Sequence, residues 1–522
     1  MSMLENFKYK IWIPSLLVGG FITACSLEIE ETDSIFTKGE SSVFNGVENV
    51  AGSLNTIYNN ISGQAGDQAN LYALTEVSTD ELVVPTRGTD WGDNGVWRTV
   101  HAHTWGPTHP FLLTVWNDKN NGVLRATEVI DPLSSASALQ IAEAKFARAY
   151  NMWIIMDFFG VAPFRDPKDG PEVIPTVMTR SEAYNMIVQD LTDAIANLPA
   201  SNPTAANKTR PVKAAARFLL AKVKINAAVY NGTYGANDLQ DVINLVDAIE
   251  AEGYSLESDY FGVFRGPSFT NTDVIWNVAA GVGNRMWNGL HYNQSHTGNG
   301  GGGWNGFTTL AEFYDKFEGP PTSNSIGSGQ EERRGYTHTL ATTNADNQGF
   351  GYGFQVGQMY GYRDGAAVAL TDRVGNPLVF TKELPGLVGN NERTGIRLLK
   401  YSPANGAFTE GVVMARFADA YLMRAEAKLR LGNNAGALSD VNALRSMRSN
   451  TPPLASINEA TMLDERAREL YTEGWRRNDM IRFGAFKNAW QFKTAGDGHT
   501  DLFPIPASAL LSNPNLIQNP GY

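Results

Sequence analysis

The chain is nearly without cysteine: one residue, Cys25, in 522. This excludes intrachain disulfides and leaves no thiolate cluster for zinc. Histidine is scarce as well, with seven residues, and none opens an H-E-x-x-H metalloprotease motif. The dipeptide Gly-Lys does not occur, so there is no phosphate-binding P-loop, and no G-x-S-x-G nucleophile elbow is present. Positive charge is in deficit, 42 Lys and Arg against 54 Asp and Glu for a net charge of −12. That balance disfavours nucleic acid or an anionic membrane surface as the main partner. Only 18% of residues are charged, whereas aromatics reach 11% and glycines number 51. The composition suits ordered, aromatic-bearing loops on a regular frame rather than disorder.

Long apolar runs are lacking too. The segment Ile11 to Ile22 is too short, and too interrupted by Pro14 and Gly19-Gly20, to span a bilayer. It follows Lys8 and Lys10 and ends in Ile22-Thr23-Ala24-Cys25, a pattern that resembles a bacterial lipobox. Residues 1–24 are therefore expected to be a lipoprotein signal peptide, with Cys25 acylated and first in the mature chain. The alternative is an ordinary signal peptide cut near Ala24, with Cys25 incidental. Buried acyl chains, each CH₂ contributing about 0.8 kcal/mol, would hold the protein at a membrane without a spanning helix. The acidic residues Glu28, Glu30, Glu31 and Asp33 suit a solvated tether.

The remaining residues, 25–522, read as a single large domain, mainly α-helical. Val47, Val50, Leu54 and Ile57-Tyr58 keep helical spacing, and Phe111, Leu112, Val115, Val123 and Leu124 suggest a returning helix. A long stripe from Leu139 through Phe158 is stopped by Gly160 and Pro163. Ser181 is placed to cap the next helix, Pro211 to open another, and Asp238 to precede a third. Val413, Phe417, Ala420-Tyr421 and Ala425 make one C-terminal helix, and Ala437-Leu438, Val441 and Leu444 the next. Small residues at crossings (Ala142, Ala149, Ala216, Ala420, Ala427) suggest degenerate tetratricopeptide-like hairpins stacked into a right-handed scaffold, without a strict period. The scaffold is expected over residues 44–61, 110–252 and 412–490, broken by loop-rich insertions at 62–109 and 253–411. Loops of that length in a compact protein carry function.

Of eleven tryptophans, six fall in the insertions: Trp91, Trp97, Trp105, Trp276, Trp287 and Trp304. Trp97 and Trp276 read as packing residues. Trp91, within Arg87-Gly88-Thr89-Asp90-Trp91-Gly92, and Trp304, after Gly300 to Gly303, have polar and flexible neighbours that leave little core to enter. A pyranose presents apolar C–H faces and a rim of hydroxyls, so an aromatic plate with fixed donors and acceptors suits it. Trp91 and Trp304 are the candidate plates, with Trp287 and Tyr292 behind them. Arg87, Asp90 and Asn94 are the candidate hydroxyl contacts, Arg87 with Asp90 as a planar clamp. A surface patch of this kind needs no catalytic residue, metal or cofactor.

Motifs that point elsewhere are weak. Gly298-x-Gly300-x-x-Gly303 fits a dinucleotide pattern but follows no apolar strand. His101-x-His103 is better read as hydrogen-bonded histidines than as a metal clasp. Asn344-x-Asp346-x-Gln348-Gly349 lacks the closing glutamate of a calcium loop, having Gln355 there.

Four segments resemble the SusD/RagB family of surface lipoproteins. They are Ala144 to Tyr150 leading into Asp157-Phe158-Phe159-Gly160-Val161-Ala162-Pro163-Phe164, and Asp190 to Pro199. The others are Glu465 to Leu470 with Glu473-Gly474-Trp475-Arg476-Arg477-Asn478-Asp479 through Gly484, and the terminus from Phe503-Pro504-Ile505-Pro506 to Tyr522. With the lipobox, the resemblance spans essentially the whole mature chain. It implies a non-enzymatic, lipid-anchored lipoprotein on the extracellular face of the outer membrane. Such a protein binds oligosaccharide or polysaccharide and delivers it to a SusC-like TonB-dependent transporter. Some members carry peptides instead. Family ligand sites lie on divergent loops, so no binding residue is carried over.

The charged run of Glu465, Glu469 and Glu473 with Arg468, Arg476, Arg477 and Arg482 reads as structural clasps, Glu473 with Arg477 as an i,i+4 pair. A glycoside hydrolase is the rival from another class. It would need two carboxylates from Asp80, Glu81, Asp90 and Asp93 set about 5–9.5 Å apart.

Overall fold

The computed structural model describes residues 44–170, 172–265, 270–296, 301–405 and 411–522. The expected signal peptide, Cys25 and the acidic tether lie outside the described residues, as do Gly298 and Gly300.

The helix Ala138–Phe159 sits at the centre. Ser137 and Gln140 form a capping box at its start, and Gly160 at φ 73° ends it as the sequence pattern predicts. Every side chain from Phe146 to Phe159 is buried, so this part of the helix has no solvated face and must be enclosed by others. Pro110–Ile130 and Arg180–Asn197 pack on its two sides. The packing then passes from Arg180–Asn197 to Lys213–Ile225, to Asp238–Ala251 and to Phe417–Arg430. The last of these also carries Asn434–Ser446 and Glu459–Leu470. The fold is thus mainly α-helical, built from successive packed helices.

Several helix starts differ from the sequence reading. Thr179, not Ser181, caps Arg180–Asn197, because Glu182 sits three residues on and completes a capping box. Pro211 lies outside the helix that begins at Lys213. Asp238 is the first residue of its helix rather than the one before it. Val413 belongs to the strand Gly411–Arg416, which pairs antiparallel with Val274–Gly281, and the helix opens only at Phe417.

The first helix runs on to Gly66, into the first insertion, which also holds the short helices Asn70–Glu76 and Val96–His101. The second insertion folds into small antiparallel sheets. Arg397–Leu399, Tyr352–Gln355 and Gly335–Tyr336 form one of three strands, and Tyr360–Arg363 pairs with Ala366–Ala369. Met359, Leu370, Leu378 and Phe380 make a small apolar cluster of their own beneath these hairpins.

The charged C-terminal run fixes the second insertion to the helices. Glu469 accepts from Arg416 Nη1 at 2.9 Å and Arg448 Nη2 at 2.8 Å, with Arg333 Nη1 at 3.3 Å. Glu465 binds the same Arg333 at 2.7 Å and also Arg445 and Arg468. Glu473 does not pair with Arg477. The helix ends at Leu470, so the i,i+4 geometry is lost; Glu473 binds Arg416 and Lys400, while Arg477 reaches Asp157 at 3.3 Å.

Candidate functional site

The loop after Thr86 is folded back on itself. Arg87 and Asp90 exchange backbone hydrogen bonds in both directions, at 3.0 and 2.9 Å. Trp91, Asp93 and Asn94 then take positive φ values of 60°, 37° and 51° before Gly95. A non-glycine residue is rarely held there, and three in four residues mark a loop fixed by its surroundings. The turn lays the Trp91 ring edge-to-face on buried Trp97, with centroids 5.8 Å apart. It also aims the Trp91 indole Nε1 at the carbonyl of Trp304, 2.7 Å away.

The second loop is fixed as firmly. Trp304 N donates to Trp287 O and Asn305 N to Leu290 O, both at 2.7 Å. Gly306 allows the two loops to meet, since a Cβ there would stand 1.9 Å from Asn288 Oδ1 and 2.7 Å from the Trp91 ring. The Trp304 side is left outside, 37% exposed, while Trp91 is half-buried beside it.

Beside the rings stands a polar lattice. Asp90 Oδ2 accepts from Tyr292 OH at 2.7 Å and from Arg373 Nη2 at 2.6 Å. The Arg373 guanidinium lies 3.9 Å from the Tyr292 ring centre and also binds Glu392. Glu392 Oε2 accepts from Arg373 N and from the His291 imidazole Nε2, each at 3.0 Å. The hydrogen bond from Tyr292, with Arg373 beside it, holds the Asp90 carboxyl below its ordinary range. Burial opposes ionisation of Glu392, but Arg373 and His291 outweigh it and keep this carboxyl low as well. Burial pushes His291 down to about 4, so its ring is neutral near pH 7. The result is a connected array of charge-assisted donors and acceptors in the loop that carries Trp91 and its bond to Trp304.

Trp91, Trp304, Asp90 and Tyr292 are therefore brought together, and Asn94 is exposed on the same turn. Two other candidates are not at the surface. Arg87 is 2% exposed, and its Nη1 turns inward to the carbonyls of Asn391 and Thr394 at 3.0 and 2.7 Å. Arg87 consequently makes no clamp with Asp90; Arg373 does. Trp287 is 6% exposed and sits in the core under the loop that its own carbonyl braces. Trp97 and Trp276 are buried packing residues, as the sequence suggested. The sequence reading missed Arg373 and Glu392. Arg373 lies in the turn around Asp372 and Asn376, whose composition signals a loop but not the direction of its side chain.

The other motifs resolve structurally. His101 meets the carbonyls of Val77, Leu82 and Gln491, and His103 that of Ser78. Asn344 Oδ1 accepts the amides of Asp346 and Asn347 within its own turn. Asp80 forms a bidentate pair with Arg476 at 2.7 and 2.8 Å inside the protein. Glu81, also buried, accepts from Thr472 N at 2.9 Å. Asp93 accepts from Trp97 Nε1 at 2.9 Å.

This mainly helical fold, with its loop platform, matches that of solved SusD-like proteins. The SusD family profile matches residues 272–522, and a profile described as starch-binding associating with outer membrane matches residues 40–225; the chain belongs to the SusD/RagB family. It is 25% identical over 503 residues to the starch-binding protein SusD of Bacteroides thetaiotaomicron, covering 88% of this chain and 86% of that one. A SusD-like protein of Bacteroides fragilis superposes with a TM-score of 0.70 at 20% identity, over 93% of this chain and 99% of that one. Surface glycan-binding protein A of B. thetaiotaomicron, solved with laminarihexaose, gives a TM-score of 0.63 at 18% identity, over 90% and 99%.

Proposed function

We propose that this chain is a non-catalytic glycan-binding lipoprotein of the outer-membrane surface. It would hold an oligosaccharide on the platform formed by Trp304, Trp91, Asp90, Tyr292 and Arg373, with Asn94 at the edge. The observation that carries this reading is the exposed Trp304, whose backbone carbonyl is held by Trp91, in a loop cluster that also holds the Asp90–Arg373–Glu392 lattice. An apolar plate beside fixed planar hydrogen-bonding groups matches the two kinds of surface on a pyranose. The starch-binding relative supports the same ligand class.

Hydrolysis has less support, because Asp80 is engaged with Arg476 and Glu81 is buried, while Asp90 is tied to Arg373 and Tyr292. A peptide carrier of the same family would favour an apolar groove over this charged lattice. An oligosaccharide panel, scored for both binding and reducing-end release, tests the reading. Binding without release is expected; turnover, or failure to bind any glycan, would overturn it.

Delivery to a SusC-like TonB-dependent transporter is part of the proposal. No helix among the described residues is long and apolar enough to cross a membrane, and a tethered binder cannot itself move ligand through one. Detergent solubilisation and pull-down should recover a much larger barrel protein with this chain. Recovery of this chain alone, from cells growing on the cognate glycan, would count against the pairing.

A further inference from the structure

Away from the loop platform, the helical frame encloses a partly open cavity of about 100 Å³. Aromatic rings dominate its wall, among them Tyr72, Tyr150, Trp153, Trp276 and Trp475. An engineered cavity of about 150 Å³ accepts benzene, so the space here is of the order of one small ring.

The charges around it do not cancel. Of the acids on the wall, Asp157 is taken by Arg477, Asn478 and Tyr230, and Glu473 by Arg416 and Lys400. Arg285 also lines the cavity, and its guanidinium lies 4.3 Å from the Tyr72 ring centre. Its Nε and Nη2 are buried and have no hydrogen-bond partner among the described residues. Burial draws Lys119, behind the wall, down to about 7, with Asp118 only partly opposing it, so Arg285 is the fixed positive charge here. Lys119 is fully buried, bound to the neutral Gln64 Oε1, and 4.9 Å from the centre of the Tyr150 ring. Gln64 and Tyr150 both line the cavity. Burial of a cation without a counter-ion is costly, and a ring face compensates only part of it. The indole N–H of Trp276, also on the wall, is buried and unpartnered.

We propose that this cavity is a second binding site, separate from the loop platform, for a ring-sized carboxylate. The ring would lie among Tyr72, Trp153, Trp276 and Trp475, and the carboxylate on Arg285. The shared chemistry is an acid on an apolar-faced ring. Two sources supply it: a uronic acid residue, or a free aromatic acid.

The test uses the full-length protein in detergent, with tryptophan fluorescence and titration calorimetry, because three indoles line the site. The probes are glucuronate and phenylacetate, each with its neutral counterpart, glucose and 2-phenylethanol. One acid should bind at least about tenfold more tightly than its neutral counterpart, and which one it is identifies the source. Arg285→Gln should weaken that binding about tenfold or more, and Arg285→Lys should restore part of it. Acid binding should persist in Trp304→Ala, so that failure of the loop platform and failure of this cavity are told apart. The proposal is overturned if neither acid binds, if the neutral counterparts bind equally, or if folded Arg285→Gln binds like the parent. Should Arg285→Gln fail to fold, the acid-over-neutral preference of the parent chain decides alone.

Discussion

The indole Nε1 of Trp91 donates to the backbone carbonyl of Trp304 at 2.7 Å, joining two loops 213 residues apart in the sequence. The two rings are therefore not equivalent. One braces the platform and the other faces outward, so their substitutions should behave differently.

Trp304→Ala should weaken glycan binding about 5–150-fold, as loss of a ring stack of about 1–3 kcal/mol implies, with the melting temperature unchanged. Trp91→Ala should weaken binding and also lower stability, because it removes the Trp97 contact and the bond to the second loop. Affinity titrations and thermal melts run side by side check the split. Equal melting losses in both variants would refute it.

Arg373 holds Asp90 and Glu392 together and covers Tyr292. Its side chain is about half exposed, so little fold stability depends on it. Arg373→Ala should reduce glycan affinity by about tenfold or more while the melt moves by a degree or two at most. Arg373→Lys should recover little, since a point charge cannot span both carboxylates. Wild-type affinity in Arg373→Ala would remove the lattice from the site.

Glu469 is fully buried among Arg333, Arg416 and Arg448. Glu469→Ala leaves those cations uncompensated and should cost about 3–5 kcal/mol. The exposed Lys382–Asp315 pair is the control, and Asp315→Asn should cost less than about 1 kcal/mol. Urea unfolding midpoints measure both.

Stability should fall on both sides of a maximum in pH. Burial disfavours ionised Glu426 and Glu465, yet their arginine neighbours prevail and hold both at about 2 in the fold. An unfolded glutamate titrates near about 4.3. The stabilisation from these groups is therefore present above that value and lost as pH falls toward 2. Glu76 and Glu81 act in the opposite sense. Burial raises both, to about 7 for Glu76, whose contact with Glu81 eases it down while pushing Glu81 further up; Glu76 Oε2 and Glu81 Oε1 are buried and unpartnered among the described residues, so the pair retains a proton in the fold. That contribution is complete below the unfolded glutamate value and is lost as pH rises through the raised folded one. Melting temperatures between pH 3 and 9 should show both limbs, and Glu81→Gln should flatten the upper one. An unchanged upper limb would show that the pair holds no proton.

Cys25→Ala should move the protein out of the membrane fraction and abolish acyl labelling. Unchanged fractionation and labelling would sink the lipid anchor and leave the apolar leader as an ordinary signal peptide.

The helical frame was legible in the sequence because burial imposes a period that local residues display. The stripe ending at Phe158-Phe159, with Gly160 after it, specifies a buried helix and its stop without reference to anything distant. Helix starts were less legible: Thr179 outcompeted Ser181 because Glu182 reciprocates its bond, and Val413 joined a strand because Asn277 pairs with it across the sheet. Polar neighbours correctly marked Trp91, Trp304, Asp90 and Tyr292 as loop residues. The same signal failed for Arg87 and Trp287, since whether a loop side chain turns in or out depends on what packs above it. Only the tertiary structure could bring in Arg373, 283 residues from Asp90, because no local pattern encodes the partner of a charge. Sequence alone determined the mainly helical fold, the aromatic loops and the acidic, nearly cysteine-free composition, all of which are written in neighbouring residues. Long-range packing decided which rings face solvent, which carboxylates are clasped and where a cation is left without an acid, because burial and pairing belong to residues that meet only when the chain folds.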